Sequence, residues 1–503
     1  MECGRFIRVP TQPPDDLRAT MRLGQTSAIF FASRLFSSVI GFVATLYIAR
    51  LLGAAPLGIY HLGIGLVSWF AIAGQVGISG AISKRVSEGR DRTEHALAGT
   101  LLVAVLFVVV TIGVLFFRAR VNRYVGYDAA GFVVAILFAT LMYAVVSSLL
   151  TGLHLVHING ILSPIKTGGR SLFQIGAVAA SAGVAGLFWG HLAGITLVVA
   201  IGGVVVVRNL PSVALPRRRH FRSLVDFAKF SWLGSLQSRM FNYTDVIVLG
   251  FFVSSSLIGV YSVAWNVSQF LILFSGAVKS TLFPEISELS TDRDPQAVAD
   301  IVEQSLVYGG LFLVPGVLGG GILGERILRI YGPEFTQGAL VLFVLIVGNL
   351  FMGYQNQLLN TLNAIDRPDL SFRVNAVFVG ANVVANVVLI YLYGWIGAAV
   401  ATAGSVAVSL ILAYRYLSSI IAFEFPVREI ARQWGAAVIM AVVVYGGLVV
   451  ENSYNLLRHN FVTVLLLVGI GAGVYFGVLI VLSSQFRTTV RSNVPPLEPY
   501  LSW

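Results

Sequence analysis

One cysteine, four lysines and a charged fraction of 11% set the first limits on this 503-residue chain. Cys3 has no second cysteine to pair with, so an internal disulfide is excluded. The lysines are Lys84, Lys166, Lys229 and Lys279, and none follows a glycine. The Gly-Lys step of a phosphate-cradling P-loop is therefore missing, and ATP-driven chemistry within this chain is not expected. The seven histidines are scattered, and no group of His, Cys and carboxylates has metal-ligand spacing, so no metal or other cofactor is expected.

The scarcity of charge also assigns the broad class. A soluble domain carries about 25% charged residues. This chain is 56% hydrophobic, with a mean hydropathy of +0.83. Charge-free runs cover Ala96 to Phe117, Gln304 to Gly324 and Val374 to Tyr414. About 20 apolar residues cross a bilayer as a helix, whereas barrel strands need alternating polarity, which these runs lack. The expected fold is an all-α integral membrane protein.

Fourteen transmembrane spans fit the pattern. Two long apolar runs must each fold into a hairpin, because a run of such length exceeds one bilayer crossing. The glycine-containing stretches "FWGHLAG" and "LYGWIG" are the expected turns, which puts spans 5 and 6 at 169–188 and 190–207. Basic residues orient such a chain, since they concentrate on the cytoplasmic side. With both termini cytoplasmic, seven of the 34 Lys and Arg fall in outer loops and two inside spans, leaving 25 inside. The outer "RARVNR" at 118–123 breaks the rule locally. The net charge of +11 is thus spread over short loops. A nucleic-acid surface would need a basic stripe on a water-facing domain, so no nucleic-acid partner is expected. The polar residues 1–23 do not form a cleavable signal, so the first span is expected to direct insertion into the cytoplasmic membrane.

Two halves follow one plan. "GIYHLG" at 58–63 matches "GVYSVA" at 259–264, and "GHLAG" at 190–194 matches "GWIGA" at 394–398. The expected organisation is a cytoplasmic segment (1–23), a six-helix N-lobe (24–207), a basic linker (208–225) and a six-helix C-lobe (226–414). A second linker (415–432), two extra helices (433–483) and a tail (484–503) complete the chain. Both lobes have the same orientation, so any substrate path would run between them near the bilayer midplane. Outer loops this short leave no platform for transferase or polymerase chemistry, and an enzyme is not expected.

A charge at mid-bilayer costs roughly 2.5–3.5 kcal/mol and usually faces a wet cavity or a partner. Arg34 in span 1 and Arg239 and Asp245 in span 7 are the candidates. Arg34 has two readings: a snorkelling anchor, or a cavity contact on a face with Ser33, Ser37 and Ser38. Arg239 lies one helical turn beyond the position related to Arg34 by the repeat. Two guanidiniums suit an anionic ligand, above all a phosphate. Asp245 is read either as a cavity group or as a partner for another helix. Asn360, and Asn382 with Asn386 four residues on, are read either as interhelical hydrogen-bond donors or as contacts to sugar hydroxyls.

"LRIYGPEFTQGALVLFVLIVGN", "LLNTLNAIDRP" and "NVVANVVLIYLYGWIGAAVATA", in that order, resemble the polysaccharide (Wzx-type) flippases of the MOP transporter superfamily. "FASRLFSSVIGFVATLYIARLLGAAPLGIYHL" is similar to that family's opening span and loop. The resemblance implies alternating access by two lobes and export of a lipid-linked glycan on a polyprenyl phosphate or pyrophosphate carrier. It also implies a cationic cavity for the head group, with membrane lipids and glycan-assembly enzymes as partners. Multidrug antiporters of the same superfamily are the alternative. They often place an acid in the first span for cation coupling, where this chain has Arg34.

Overall fold

The computed structural model describes residues 36–75, 77–210, 214–291, 295–454, 456–457 and 459–493. Over 229–242 it describes the backbone alone. Among the described residues the regular structure is entirely helical. The reason is solvation: in hydrocarbon a backbone N–H or C=O finds no water, so each apolar segment satisfies its own hydrogen bonds as a helix. Among the described residues eleven helices are long and apolar enough to cross a membrane, which makes this a multi-pass membrane protein.

The first group comprises α1 (Phe36–Leu52), α2 (Ala54–Gln75), α3 (Ile78–Ser87), α4 (Arg92–Phe116) and α5 (Arg118–Val125). It continues with α6 (Ala130–Gly152), α7 (Val156–Ala179) and α8 (Gly183–Asn209). The second holds α9 (Arg218–Phe252), α10 (Ser255–Thr291), α11 (Pro295–Gly310), α12 (Leu313–Arg329), α13 (Ala339–Ala364), α14 (Pro368–Tyr393) and α15 (Trp395–Ser418). Then come α16 (Val427–Tyr454), α17 (Asn460–Leu482) and α18 (Ser484–Asn493).

Several expected boundaries move. The hairpin within the first long run lies at Ala180–Ala182, where Ser181 takes φ 63°, and not at "FWGHLAG". The glycines of that stretch serve close packing instead. A Cβ on Gly190 would sit 2.5 Å from the backbone nitrogen of Gln174, and one on Gly194 would sit 2.5 Å from that of Arg170. Small residues four apart let two membrane helices approach backbone to backbone. The residues expected as spans 5 and 6 thus fall in α7 and α8, and α7 begins at Val156 rather than near 169. The other expected hairpin is in place: Gly394 adopts φ 61°, a conformation open to glycine, between α14 and α15. The linker expected over 208–225 is mostly helix, since α8 reaches Asn209 and α9 starts at Arg218. α11 and α12 are separated at Leu311–Phe312, just before Pro315, whose ring nitrogen has no hydrogen to donate to the preceding turn.

The two groups of helices meet where α2 crosses α10. A Cβ on Gly58 would overlap the carbonyl oxygen of Ser255, and one on Gly259 would overlap the carbonyl oxygen of Ala54. Three longer-range bonds hold the same end. Arg50 Nε donates to Ile330 O at 2.7 Å, Ala54 N donates to Glu334 Oε1 at 2.6 Å, and Tyr124 Oη donates to Ile247 O at 2.6 Å. Tyr331 is buried beneath them, its ring edge-on to Phe42 at 5.7 Å.

Candidate functional site

Below that seal lies a cavity of about 650 Å³, bounded by α1, α2 and α7 on one side and by α9 and α10 on the other. Its volume falls within the roughly 300–1,000 Å³ typical of small-molecule sites.

The N-terminal wall is cationic. Arg170 lines the cavity from the middle of α7, and its Nε is buried without a hydrogen-bond partner among the described residues. Among the described residues no carboxylate forms an ion pair with it. Gly190 and Gly194 of α8 fix the helix that carries it, as the fold shows. Lys166, one turn earlier on α7, is not among the cavity-lining residues; its ammonium lies 4.1 Å from the centre of the Tyr143 ring on α6, a favourable cation–π position. His61 lines the cavity from α2. Beside it Tyr60 shares a 2.6 Å hydrogen bond with His191 Nδ1, and Gln174 donates to Leu187 O at 2.9 Å.

Among the described residues the opposite wall carries a single charged group, Asp245, on α9 and 4% exposed. Three donors from three helices converge on its carboxylate. Tyr261 Oη donates at 2.5 Å from α10, Asn386 Nδ2 at 2.8 Å from α14, and Thr402 Oγ1 at 2.8 Å from α15. A buried carboxylate needs such partners, and these three make Asp245 the knot of its lobe. From Asp245 onward α10 presents a stripe of Ser262, Trp265, Asn266, Gln269 and Phe270 to the cavity.

The residues singled out from sequence fall in different places. Asp245 lines the cavity, and it is also bound to neighbouring helices, so both readings of it meet in one residue. Asn382 stands behind it: its Nδ2 donates to Thr402 Oγ1 at 3.1 Å, and Thr402 in turn donates to Asp245. Asn360 is buried in α13 and is not among the cavity-lining residues. Arg239 belongs to α9, but its side chain lies outside the described residues. Arg34 lies outside them altogether. Arg170 escapes the sequence reading because the expected span 5 starts at 169 and leaves it at the very edge. An earlier start for that span, with Ser163, Thr167 and Arg170 read as one polar cavity face rather than a loop, is the signal that finds it; a lone histidine such as His61 in an apolar run gives no such signal.

A family model described as "Polysaccharide biosynthesis protein" matches residues 23–290. The "Probable flippase AglR" of Haloferax volcanii is 32% identical over 475 residues, 93% of this chain and 98% of that protein. A second protein of that organism, the "Probable low-salt glycan biosynthesis flippase Agl15", is 29% identical over 491 residues, 95% of this chain and 100% of its own length. Among solved structures, "Lipid II flippase MurJ, inward closed conformation" superposes with a TM-score of 0.76 at 16% identity, covering 92% of this chain and 100% of that one. A multidrug resistance MATE family transporter of the MOP superfamily, in an inward-facing conformation, superposes at 0.59 with 14% identity, over 77% of this chain and 95% of its own. At such identities the structural likeness speaks for the fold.

Proposed function

The chain belongs to the polysaccharide biosynthesis protein family, and from that membership we propose that it is a flippase moving a lipid-linked glycan across the cytoplasmic membrane. The observation that carries the reading is Arg170, a cation without an acidic partner among the described residues, set in the wall of a cavity between two groups of helices. A guanidinium there stabilises an anionic head group through paired, charge-assisted hydrogen bonds, and a dry setting strengthens them. The head group is a polyprenyl phosphate or pyrophosphate. The cavity takes that group and the nearest sugars, while the lipid tail stays in the bilayer.

In this proposal the chain crosses the membrane fourteen times, with both termini cytoplasmic. The eleven long apolar helices are joined by α1, by the apolar end of α9 (Tyr243–Phe252) and by α7, whose polar face lines the cavity. Spans 1–6 and 7–12 form two repeated lobes, and α16 and α17 are the added pair. The sealed end, at the α1–α2 turn, is the outer one. Parting the Gly58–Gly259 crossing and closing the opposite end would carry the head group across, which is alternating access. Arg34 and Arg239 extend the cationic contacts of Arg170, and Asn382 and Asn360 support the helices that frame the path. Glycan-assembly enzymes are the partners that supply the substrate.

The test is genetic and chemical. Deleting the gene in its native host is expected to leave a lipid-linked oligosaccharide on the inner leaflet. Wild type restores export, Arg170→Lys restores part of it, and Arg170→Gln does not. Full export by Arg170→Gln at normal protein level would sink the assignment. The antiporter alternative rests on Asp245 in the opposite wall. It predicts the reverse pattern, in which Asp245→Asn stops transport and Arg170→Gln leaves it intact.

A further inference from the structure

The neutral wall has a chemistry of its own. From Ser255 to Val278, α10 carries no charged residue. Ser262, Trp265, Asn266 and Gln269 follow one another at helical spacing, so their side chains share one face, and all four line the cavity. From Ser262 to Gln269 this face extends about 10 Å along the helix. Ser262 is 4% exposed, and its Oγ and the Oε1 of Gln269 are buried with no hydrogen-bond partner among the described residues. Asn266 is exposed within the cavity wall. An aromatic plane flanked by amides and a hydroxyl, with no charged side chain among them, offers nothing to pair with a phosphate.

We propose that this stripe of α10 is a sugar-binding subsite, which takes the pyranose nearest the head group. This rests on the flippase reading and deepens it. A pyranose has an apolar face of C–H groups, and the indole of Trp265 offers a broad, electron-rich face to cover them. Its hydroxyls both donate and accept. An amide side chain does the same, so Asn266 and Gln269 match them where a lysine or a carboxylate would match only one role. Unpaired buried oxygens on Ser262 and Gln269 favour a ligand rich in O–H donors. The phosphate is held on the α7 wall and the sugar on the α10 wall, so one substrate bridges the two groups of helices. A lipid phosphate without its sugar would engage only half of the site. That is a built-in check that a glycan is attached before the carrier is moved.

The experiment uses the full chain in lipid nanodiscs with two probes, a polyprenyl phosphate and the corresponding polyprenyl phosphate glucose. Trp265→Ala is expected to weaken binding of the glucosylated probe roughly tenfold and to leave the bare phosphate unchanged. Asn266→Ala, at an exposed position that packing does not depend on, is expected to weaken the same probe a few-fold with the same selectivity. Equal losses on both probes would reduce Trp265 to a packing residue and overturn the subsite, as would unchanged binding of the glucosylated probe in both variants. Failure of the wild-type protein to bind either probe, or Arg170→Gln binding the bare phosphate as well as wild type, would instead overturn the flippase reading, and the subsite with it.

Discussion

Gly58 and Gly259 stand in a reciprocal relationship. Gly58 leaves room for the carbonyl of Ser255, and Gly259 leaves room for the carbonyl of Ala54. Gly259 lies 201 residues after Gly58, and Ser255 the same distance after Ala54, so the two contacts of the crossing join positions at one spacing. Residue i touching j while j's counterpart touches i's is the pattern of a two-fold contact. Tyr60 and Tyr261 share that spacing. Each turns its hydroxyl to a polar group on its own side, His191 for one and Asp245 for the other.

The crossing predicts a specific sensitivity. Gly58→Ala or Gly259→Ala places a methyl against backbone, which cannot rotate away, so α2 and α10 must part. Each substitution is expected to cost about 1–3 kcal/mol, as overpacking does. The double variant should cost less than the sum, because both act on one contact. Thermal unfolding in detergent measures the cost. Labelling of Val260→Cys, a smaller side chain fully buried beside Gly259, in a Cys3→Ser background reports the parting. Unchanged unfolding and labelling in both variants would mean that the crossing is loose.

Arg170 depends on a glycine in the neighbouring helix. Gly194→Ala puts a methyl against the backbone of Arg170 and pushes α7 off α8. The expected result is protein at normal level with export reduced toward that of Arg170→Gln. Gly203 is the control: it lies on the same helix, and a Cβ there meets nothing within 4 Å. Gly203→Ala should therefore export normally. Equal behaviour of the two variants would show that the α7–α8 approach does not position the guanidinium.

Asp245 was legible in the sequence and Arg170 was not, and the difference is physical. A lone acid between "FNYT" and "VIVLGFF" stands out because its surroundings are apolar enough to define the span around it. α7 faces a cavity, so it carries Ser, Thr, Arg and Gln along one side, and it is not among the helices apolar enough to qualify as a span. Hydropathy therefore misses a helix that lines the cavity. The "GHLAG" stretch misled in a related way. Glycine marks both turns and close helix contacts, and only the neighbour decides which. Asn382 and Asn386 were legible as a pair by their spacing. Their link to Asp245, 141 residues away from Asn386, was not, because long-range partners leave no local trace.

Removing the knot at Asp245 should cost stability before it affects transport. Asp245→Ala strands the donors of Tyr261, Asn386 and Thr402, each about 1–3 kcal/mol if left buried and unpaired. Asp245→Asn keeps one acceptor oxygen and should lose less. The expected order of unfolding temperature is wild type, then Asp245→Asn, then Asp245→Ala. The second change Thr402→Val should cost less in the Asp245→Ala background than in wild type, because only the bond from Asn382 is then left to lose. Additive losses across that cycle would mean that Thr402 and Asp245 act independently.

At the end opposite the seal, the start of α9 is held by an acid whose response to pH has a definite sign. Asp91, before α4, accepts from Arg219 Nη2 at 2.9 Å and lies 3.2 Å from His220 Nε2. The ring of His95 packs edge-on to His220 at 4.9 Å, while the Nδ1 of His220 accepts from the backbone N–H of Arg217 at 3.0 Å. The hydrogen bond from His220, aided by the nearby Arg219 charge, holds the Asp91 carboxyl below its ordinary range. A carboxylate with a lowered pKa stabilises the fold at every pH above its unfolded value, and the contribution fades as pH falls through the lowered one. The contact is therefore complete from neutral pH down to about pH 5 and weakens below about pH 4. Asp91→Asn removes it at every pH. Limited proteolysis within 210–217 should cut this variant faster than wild type at pH 7, and the difference should shrink as pH falls below about 4. A gap that widened on acidification would assign the contact to histidine charging instead of to the carboxylate.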